Sequence, residues 1–175
     1  MKRYLAVVDM QNDFVAGSLG TAEAQAILPA VCEKIRRRAE QGYELVFTLD
    51  THGEDYLSTQ EGQKLPVPHC IRGTQGWELC REVETAAQGR GMRFCKDTFG
   101  SVELAEYLAR QGAELVELIG LCTDICVISN ALLIKAFLPQ AVLQVDGTCC
   151  AGVTPASHQN ALDAMRSCQI EILGE

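Results

Sequence analysis

Short apolar runs recur along the chain at 4–9, 45–50, 92–96, 115–120, 141–146 and 170–173, and several close on a polar residue: Asp9, Asp50, Lys96 and Asp146. Runs of this length, nearly continuous rather than alternating, predict parallel strands covered on both faces. Between them the apolar positions change to helical spacing. Ile27, Val31 and Ile35 fall at i, i+4 and i+8, and Leu104 and Leu108 repeat the interval behind Ser101, a residue type that caps helices. Thr154 followed by Pro155 places a capping side chain before a proline at the first helical position, with Ala161, Leu162 and Met165 as the inward face. The β-α-β order predicts a three-layer α/β/α sandwich around a mainly parallel, roughly six-stranded sheet, with 1–175 forming a single domain. Only 52–77 resists assignment. It is a polar stretch with Gly and Pro, far longer than the usual connection of roughly 4–6 residues, and a loop of that kind is expected to carry function.

Composition narrows the class. A chain of 175 residues with 47% hydrophobic and 22% charged residues is that of a globular protein. No window approaches the roughly 18 apolar residues of a membrane span, and Met1-Lys2-Arg3 runs straight into the first strand without a leader pattern, so no membrane partner and a cytoplasmic location are expected. A formal charge of −8 repels phosphate backbones, and the basic run from Lys34 to Arg38 reads as one solvated helix face, so nucleic acid is not an expected partner. The nine cysteines are odd in number, sit mostly in apolar segments and form no C-x-x-C pair, which argues for a reducing compartment and against a disulfide scaffold or a zinc knuckle. Most should be small core hydrophobes.

In parallel sheets the ligand crevice lies outside the carboxyl ends of the strands. Those ends deliver Asp9, Asp50, Lys96 and the turn Gly120-Leu121-Cys122-Thr123-Asp124-Ile125-Cys126. An acid, a lysine and a thiol at one sheet edge are the parts of a nucleophilic hydrolase. Cys126 falls where Thr123 or Asp124 would cap a new helix, since Val127, Asn130, Ala131, Ile134 and Phe137 continue at helical spacing. A thiol in a first turn, with an ammonium nearby, is expected to have a lowered pKa; Lys96 would favour the thiolate and Asp9 accept its proton. Backbone N–H groups around Cys122 and Cys126 could bind the oxyanion of a tetrahedral intermediate.

Three segments carry a resemblance over nearly the whole chain. Val8-Asp9-Met10-Gln11-Asn12-Asp13-Phe14, then Phe94-Cys95-Lys96, then Gly120 to Val127 are similar, in order and spacing, to the signatures of the isochorismatase-like cysteine hydrolases. The resemblance implies a triad of Asp9, Lys96 and Cys126, a covalent thioester-type intermediate released by water, and a non-proline cis peptide between Leu121 and Cys122. Asp50-Thr51-His52 followed by Pro68-His69-Cys70 resembles the metal site of the nicotinamidase/pyrazinamidase branch, and Phe14 and Phe99 are the candidate substrate-binding aromatics. The usual further histidine is replaced by Leu57 and Ser58, which makes Glu61 the candidate fourth ligand with Glu54 and Asp55 as rivals. Pro66 stands where the branch often has a stacking aromatic. Such N and O donors suit a divalent ion, zinc first, then iron or manganese.

The resemblance thus implies a metal-assisted nicotinamidase acting on a small-molecule amide, in a homo-oligomer. The alternatives are another amidase or a vinyl-ether hydrolase of the same superfamily, acting on an N-carbamoyl compound, a ureide or isochorismate, or a noncatalytic interaction module. Gln11 and Asp13 could orient Asp9 or bond the loop after the first strand. Trp77 reads as packing and His158 as a surface or interface residue.

Overall fold

The computed structural model describes residues 1–174. Its strands are β1 (Arg3–Val8), β2 (Glu44–Asp50), β3 (Met92–Lys96), β4 (Leu115–Leu121), β5 (Val142–Ala151) and β6 (Glu171–Leu173). The helices are α1 (Asn12–Val15), α2 (Ala22–Glu40), α3 (Gln60–Lys64), α4 (Arg81–Ala87), α5 (Val102–Gln111), α6 (Ile128–Phe137) and α7 (Pro155–Ser167). The sheet has the order β3-β2-β1-β4-β5-β6 with every pairing parallel. Its two faces bury separate apolar clusters. One gathers Leu104, Leu108, Ile134, Leu162 and Met165 of α5, α6 and α7, and the other gathers Val15, Val31, Ile35 and Val83 of α1, α2 and α4. The strands bury both faces because both are roofed by helices, which is why their sequences do not alternate.

The predicted caps form. The Ser101 side chain accepts from the Leu104 N–H, and Thr154 with Ser157 makes a capping box ahead of Pro155. The long loop contains more order than its composition suggested: a 3-10 turn at Tyr56–Ser58 and α3, capped by Thr59, tie it down. Both pieces are too short for a periodic pattern.

Two sequence expectations are corrected. Lys34 and Arg38 are not on a solvated face: Lys34 is 5% exposed and its Nζ lies 2.8 Å from Glu117 and against Asp146, while Arg38 Nε meets the other Glu117 oxygen at 2.5 Å. The fully buried Glu117 on β4 draws both cations inward, because an ionised carboxylate is tolerated in a core only when paired. Strand β5 continues past Asp146 to Ala151, pairing Cys150 with Gly120 and Ala151 with Leu121 after a register shift. On the other side of β4 Gly120 lies tight against β1: its φ is +120°, and a Cβ there would sit 2.1 Å from the Val8 carbonyl oxygen.

The order places β1 and β4 side by side at the centre, with chain connections leaving in opposite directions from them. This is a topological switch point, where open parallel sheets form their crevice.

Candidate active site and metal centre

Four strand ends meet at that switch point. Asp9 follows β1 in a left-handed conformation, φ +48°, and is wholly buried. Asp50 closes β2, Lys96 closes β3, and Cys126 lies beyond β4 in a π-helical turn, Thr123–Val127. Lys96 is the hub. Its ammonium lies 2.6 Å from Asp9 Oδ2, 3.2 Å from Asp50 Oδ1 and 3.5 Å from Cys126 Sγ. The other Asp9 oxygen accepts a 2.6 Å hydrogen bond from the Thr48 hydroxyl.

Electrostatics follow from burying this set. Burial opposes the charge on Lys96, yet Asp9, Cys126 and Asp50 together hold it well above its ordinary value, so it stays an ammonium. Asp9 is pushed upward by burial, with Lys96 and Thr48 pulling the other way. Asp50 is also desolvated, but hydrogen bonds from His52 and His69 and the charge of Lys96 outweigh burial and keep it ionised. The Cys126 thiol goes up, first through burial and then through Asp9, with Lys96 opposing. The expected lowering at a helix N-terminus is therefore corrected: Cys126 is 5% exposed in a π turn, Thr123 and Asp124 do not cap it, and desolvation dominates. Burial and the nearby Asp9 carboxylate thus favour the protonated thiol, whose sulfur contacts the Lys96 ammonium.

The expected Leu121–Cys122 cis peptide is also corrected: among the described residues no peptide bond is cis. The turn that follows is closed by the Cys122 carbonyl, which accepts from the N–H groups of Ile125 and Val127.

A second cluster adjoins the first through Asp50. His52 Nε2 lies 2.9 Å and His69 Nε2 3.3 Å from Asp50 Oδ2, and Glu61 Oε1 lies 3.8 Å and 3.7 Å from the same two nitrogens. One donor atom from each of the four residues falls within 4.8 Å of the others. Bonds of about 2.1 Å separate neighbouring ligands by about 3.0 Å around an octahedral ion and about 3.4 Å around a tetrahedral one, so the donors fit a metal with small adjustments. His69 Nδ1 is 2.8 Å from the Val67 carbonyl, which leaves Nε2 to face the cluster. Of the three acids considered for the fourth position only Glu61 joins the group; Glu54 and Asp55 are exposed.

A cavity of about 250 Å³ connects the two clusters. Asp50, Glu61 and His69 stand on its lining together with Cys122 and Cys126, and Phe14, Leu19, Leu65, Phe99 and Ile125 make apolar walls. Leu65 rather than Pro66 occupies the wall, and Phe99 is 43% exposed at the rim.

Several supporting residues were not legible or were left open. Gln11 serves the metal side: its amide donates to the carbonyls of Asp50 and Trp77 and accepts from the Asp50 N–H, each at 2.8 Å. Asp13 accepts from the Cys70 N–H. Neither orients Asp9. Trp77 packs against the core and donates its indole N–H to Thr51. Tyr56 lies edge-on to both histidine rings, at 4.8 and 5.0 Å, and donates its hydroxyl to the Leu65 carbonyl. Asn130 donates to the carbonyls of Cys126 and Phe99. His158, read as a surface or interface residue, is half-buried, its Nδ1 2.7 Å from the hydroxyl of the fully buried Thr123, a contact that reading did not include. A polar helix face hid it.

A family model described as the isochorismatase domain matches residues 3–174. The nicotinamidase/pyrazinamidase of Mycobacterium tuberculosis is 29% identical over 186 aligned residues, covering 98% of this chain and 98% of that protein. Among solved structures, nicotinamidase/pyrazinamidase from Bacillus subtilis superposes with a TM-score of 0.87 at 26% identity, over 99% of this chain and 100% of the other. The pyrazinamidase of Pyrococcus horikoshii in complex with zinc gives 0.82 at 29% identity over 100% of both chains.

Proposed function

We propose that this chain, which belongs to the isochorismatase family, is a metal-assisted nicotinamidase that hydrolyses nicotinamide to nicotinate and ammonia through a covalent Cys126 intermediate. The observation that carries the reading is one cavity on which a buried thiol and three members of a four-donor cluster, Asp50, Glu61 and His69, all open. An isolated apolar pocket would suit many ligands; one pairing a nucleophile with N and O donors suits an aromatic amide bearing a ring nitrogen. Asp50, His52, Glu61 and His69 would hold a divalent ion, which supplies an anchor for the ring nitrogen or for water bonded to it. Two imidazoles and two carboxylates suit zinc, and iron or manganese match the same donors.

The residues then divide the chemistry. Phe14 and the aliphatic wall hold the ring and exclude water. As sulfur attacks the carboxamide carbon, the thiol proton passes to Asp9, and Lys96 stabilises the negative charge that develops at the reacting atoms. The N–H groups of Cys122 and Cys126 are the donors we assign to the tetrahedral oxyanion. Its collapse breaks the C–N bond, Asp9 returns the proton to nitrogen, and ammonia leaves a thioester. Water then attacks that carbonyl, gives its proton to Asp9, and nicotinate departs as the thiol re-forms. Each proton taken by Asp9 is given back, so one water is consumed per amide.

All nine cysteines are unpaired, which supports a reducing, cytoplasmic setting, and no helix among the described residues is long and apolar enough to cross a membrane. The exposed Leu132 and Phe137 of α6 supply the apolar surface on which we place a homo-oligomeric contact.

Ammonia release from nicotinamide by zinc-reconstituted protein tests the proposal. The parent should release it and Cys126→Ala should fall to background while keeping its metal; equal rates would remove Cys126 from the mechanism. Activity on N-carbamoyl compounds or isochorismate in place of nicotinamide would redirect the substrate assignment.

A further inference from the structure

We infer that Thr48 is a positioning residue for the reaction: its hydroxyl fixes one oxygen of the Asp9 carboxylate, so that the other is presented to the Lys96 ammonium and the Cys126 thiol. The inference rests on the triad chemistry proposed above and extends it to a residue that touches none of the reacting atoms.

The geometry begins with the strand register. Val8 of β1 pairs with Thr48 of β2, the last registered pair of that ladder, and the chain leaves β1 directly after it. Asp9 turns into the left-handed region, φ +48°, which is unfavourable for a residue bearing a Cβ and persists only where neighbours hold it. Thr48 does the holding. The Asp9 N–H donates to the Thr48 carbonyl at 3.2 Å and points also at the Thr48 hydroxyl oxygen at 3.3 Å, while that hydroxyl donates to Asp9 Oδ1 at 2.6 Å. Both residues are wholly buried, so water cannot take over either contact.

The direction of each hydrogen bond matters. A hydroxyl has one proton, and here it goes to the carboxylate, leaving the hydroxyl oxygen free to accept from the Asp9 amide. Oδ1 is thereby occupied, and Oδ2 is the oxygen in contact with Lys96 at 2.6 Å. Without the hydroxyl, only the ammonium would fix the carboxylate, and rotation about its Cβ–Cγ bond would exchange the two oxygens. A base displaced by a fraction of an ångström is a poorer proton acceptor for a fixed thiol. On β2 the neighbours Phe47 and Leu49 face the α2 side of the sheet, whereas Val46 and Thr48 face the side on which Cys126 lies. A valine at 48 would fill the same space, so packing alone does not account for the hydroxyl.

The test compares Thr48→Val and Thr48→Ser with the parent as zinc-loaded proteins. In Thr48→Val the kcat for nicotinamide should fall about tenfold to a hundredfold, the range for losing one hydrogen bond to a buried charge, with KM within about twofold. Thr48→Ser should restore most of the rate. Alkylation of Cys126 by iodoacetamide, followed on its own peptide by mass spectrometry, should slow in the same proportion in Thr48→Val. That arm needs no substrate, so it reads the inference even if nicotinamide is not turned over. Thr48→Ala carries the same expectations should the valine variant fold poorly. Three outcomes overturn the inference: kcat and alkylation within threefold of the parent in a folded, metal-loaded Thr48→Val; Thr48→Ser as slow as Thr48→Val, which would mean packing; or metal content falling in step with rate, which would place the effect at Asp50.

Discussion

Removing the metal, or one of its ligands, should register as a loss of thermal stability whose size follows from the site. The four donors lie within 4.8 Å of one another, with His52 hydrogen-bonded to Asp50 and His69 Nε2 3.3 Å from it, so binding an ion needs little rearrangement. An ion that binds only the folded chain stabilises it by RT ln(1 + [L]/Kd), about 2.7 kcal/mol at a hundredfold and about 4.1 kcal/mol at a thousandfold excess over Kd. For a chain of this size each kcal/mol shifts Tm by about 2–4 °C, so zinc added to chelator-stripped protein should raise Tm by about 5–16 °C. His52→Ala deletes one donor outright. Even partners that only orient a ligand are worth about ten- to a hundredfold in affinity, so the loss should be at least about 1.4–2.7 kcal/mol and the zinc-induced shift should shrink by several degrees at fixed zinc. Glu54→Ala lies outside the cluster and should respond like the parent. Differential scanning calorimetry across a zinc titration reads all three proteins. Equal zinc-induced shifts in His52→Ala and the parent would refute the assignment, and so would a parent that does not respond.

Other consequences concern the scaffold. Replacing Lys34 by Met strips the cation from between Glu117, which is wholly buried, and Asp146, and should destabilise the fold by about 3–5 kcal/mol in urea titration. A loss below about 1 kcal/mol would mean that Arg38 suffices for Glu117. His158 is held below its ordinary pKa by burial, with Asp124 opposing. The unfolded chain therefore binds more protons at this site, so its contribution is complete above the unfolded value of about 6.5 and fades as pH falls toward the lower folded value. His158→Gln should flatten that segment of the stability profile relative to the parent; parallel curves between about pH 5 and 7.5 would dismiss the Thr123 contact as a pH-dependent tether.

What the sequence disclosed depended on the range of the interaction concerned. Asp9, Asp50 and Lys96 were legible because each ends an apolar run, and parallel sheets bring strand ends together whatever their order in the chain. Glu61 could be ranked above Glu54 and Asp55 only by resemblance, since all three lie in one polar stretch; the bend through Tyr56–Ser58 and α3 is what turns Glu61 inward and leaves the other two in solvent. Lys34 looked solvated because its helix face is basic, and the acid that draws it inward is 83 residues away on β4. The Cys126 environment was misjudged for a related reason: helix position is a local property, but desolvation is set by everything packed around the thiol. Thr48 gave no signal at all, because a threonine in an apolar run reads as an ordinary strand residue.

The charges of the site explain why its two halves adjoin. Asp9 with Lys96 makes a neutral pair, and the carboxylates of Asp50 and Glu61 would balance the charge of a divalent ion held with the two imidazoles. The 3.2 Å contact between Lys96 and Asp50 joins these otherwise neutral groups. Lys96 thus lies between two buried carboxylates, and a divalent ion held by the donor cluster would give Asp50 a second cationic partner. Burying two acids, Asp9 and Asp50, and a thiol beside one lysine would be costly if any charge lacked a partner. A metal at the donor cluster would therefore do more than hold a substrate ring: it would offer Asp50 a second cation and leave Lys96, the one buried ammonium among the described residues at this sheet edge, to Asp9 and the thiol.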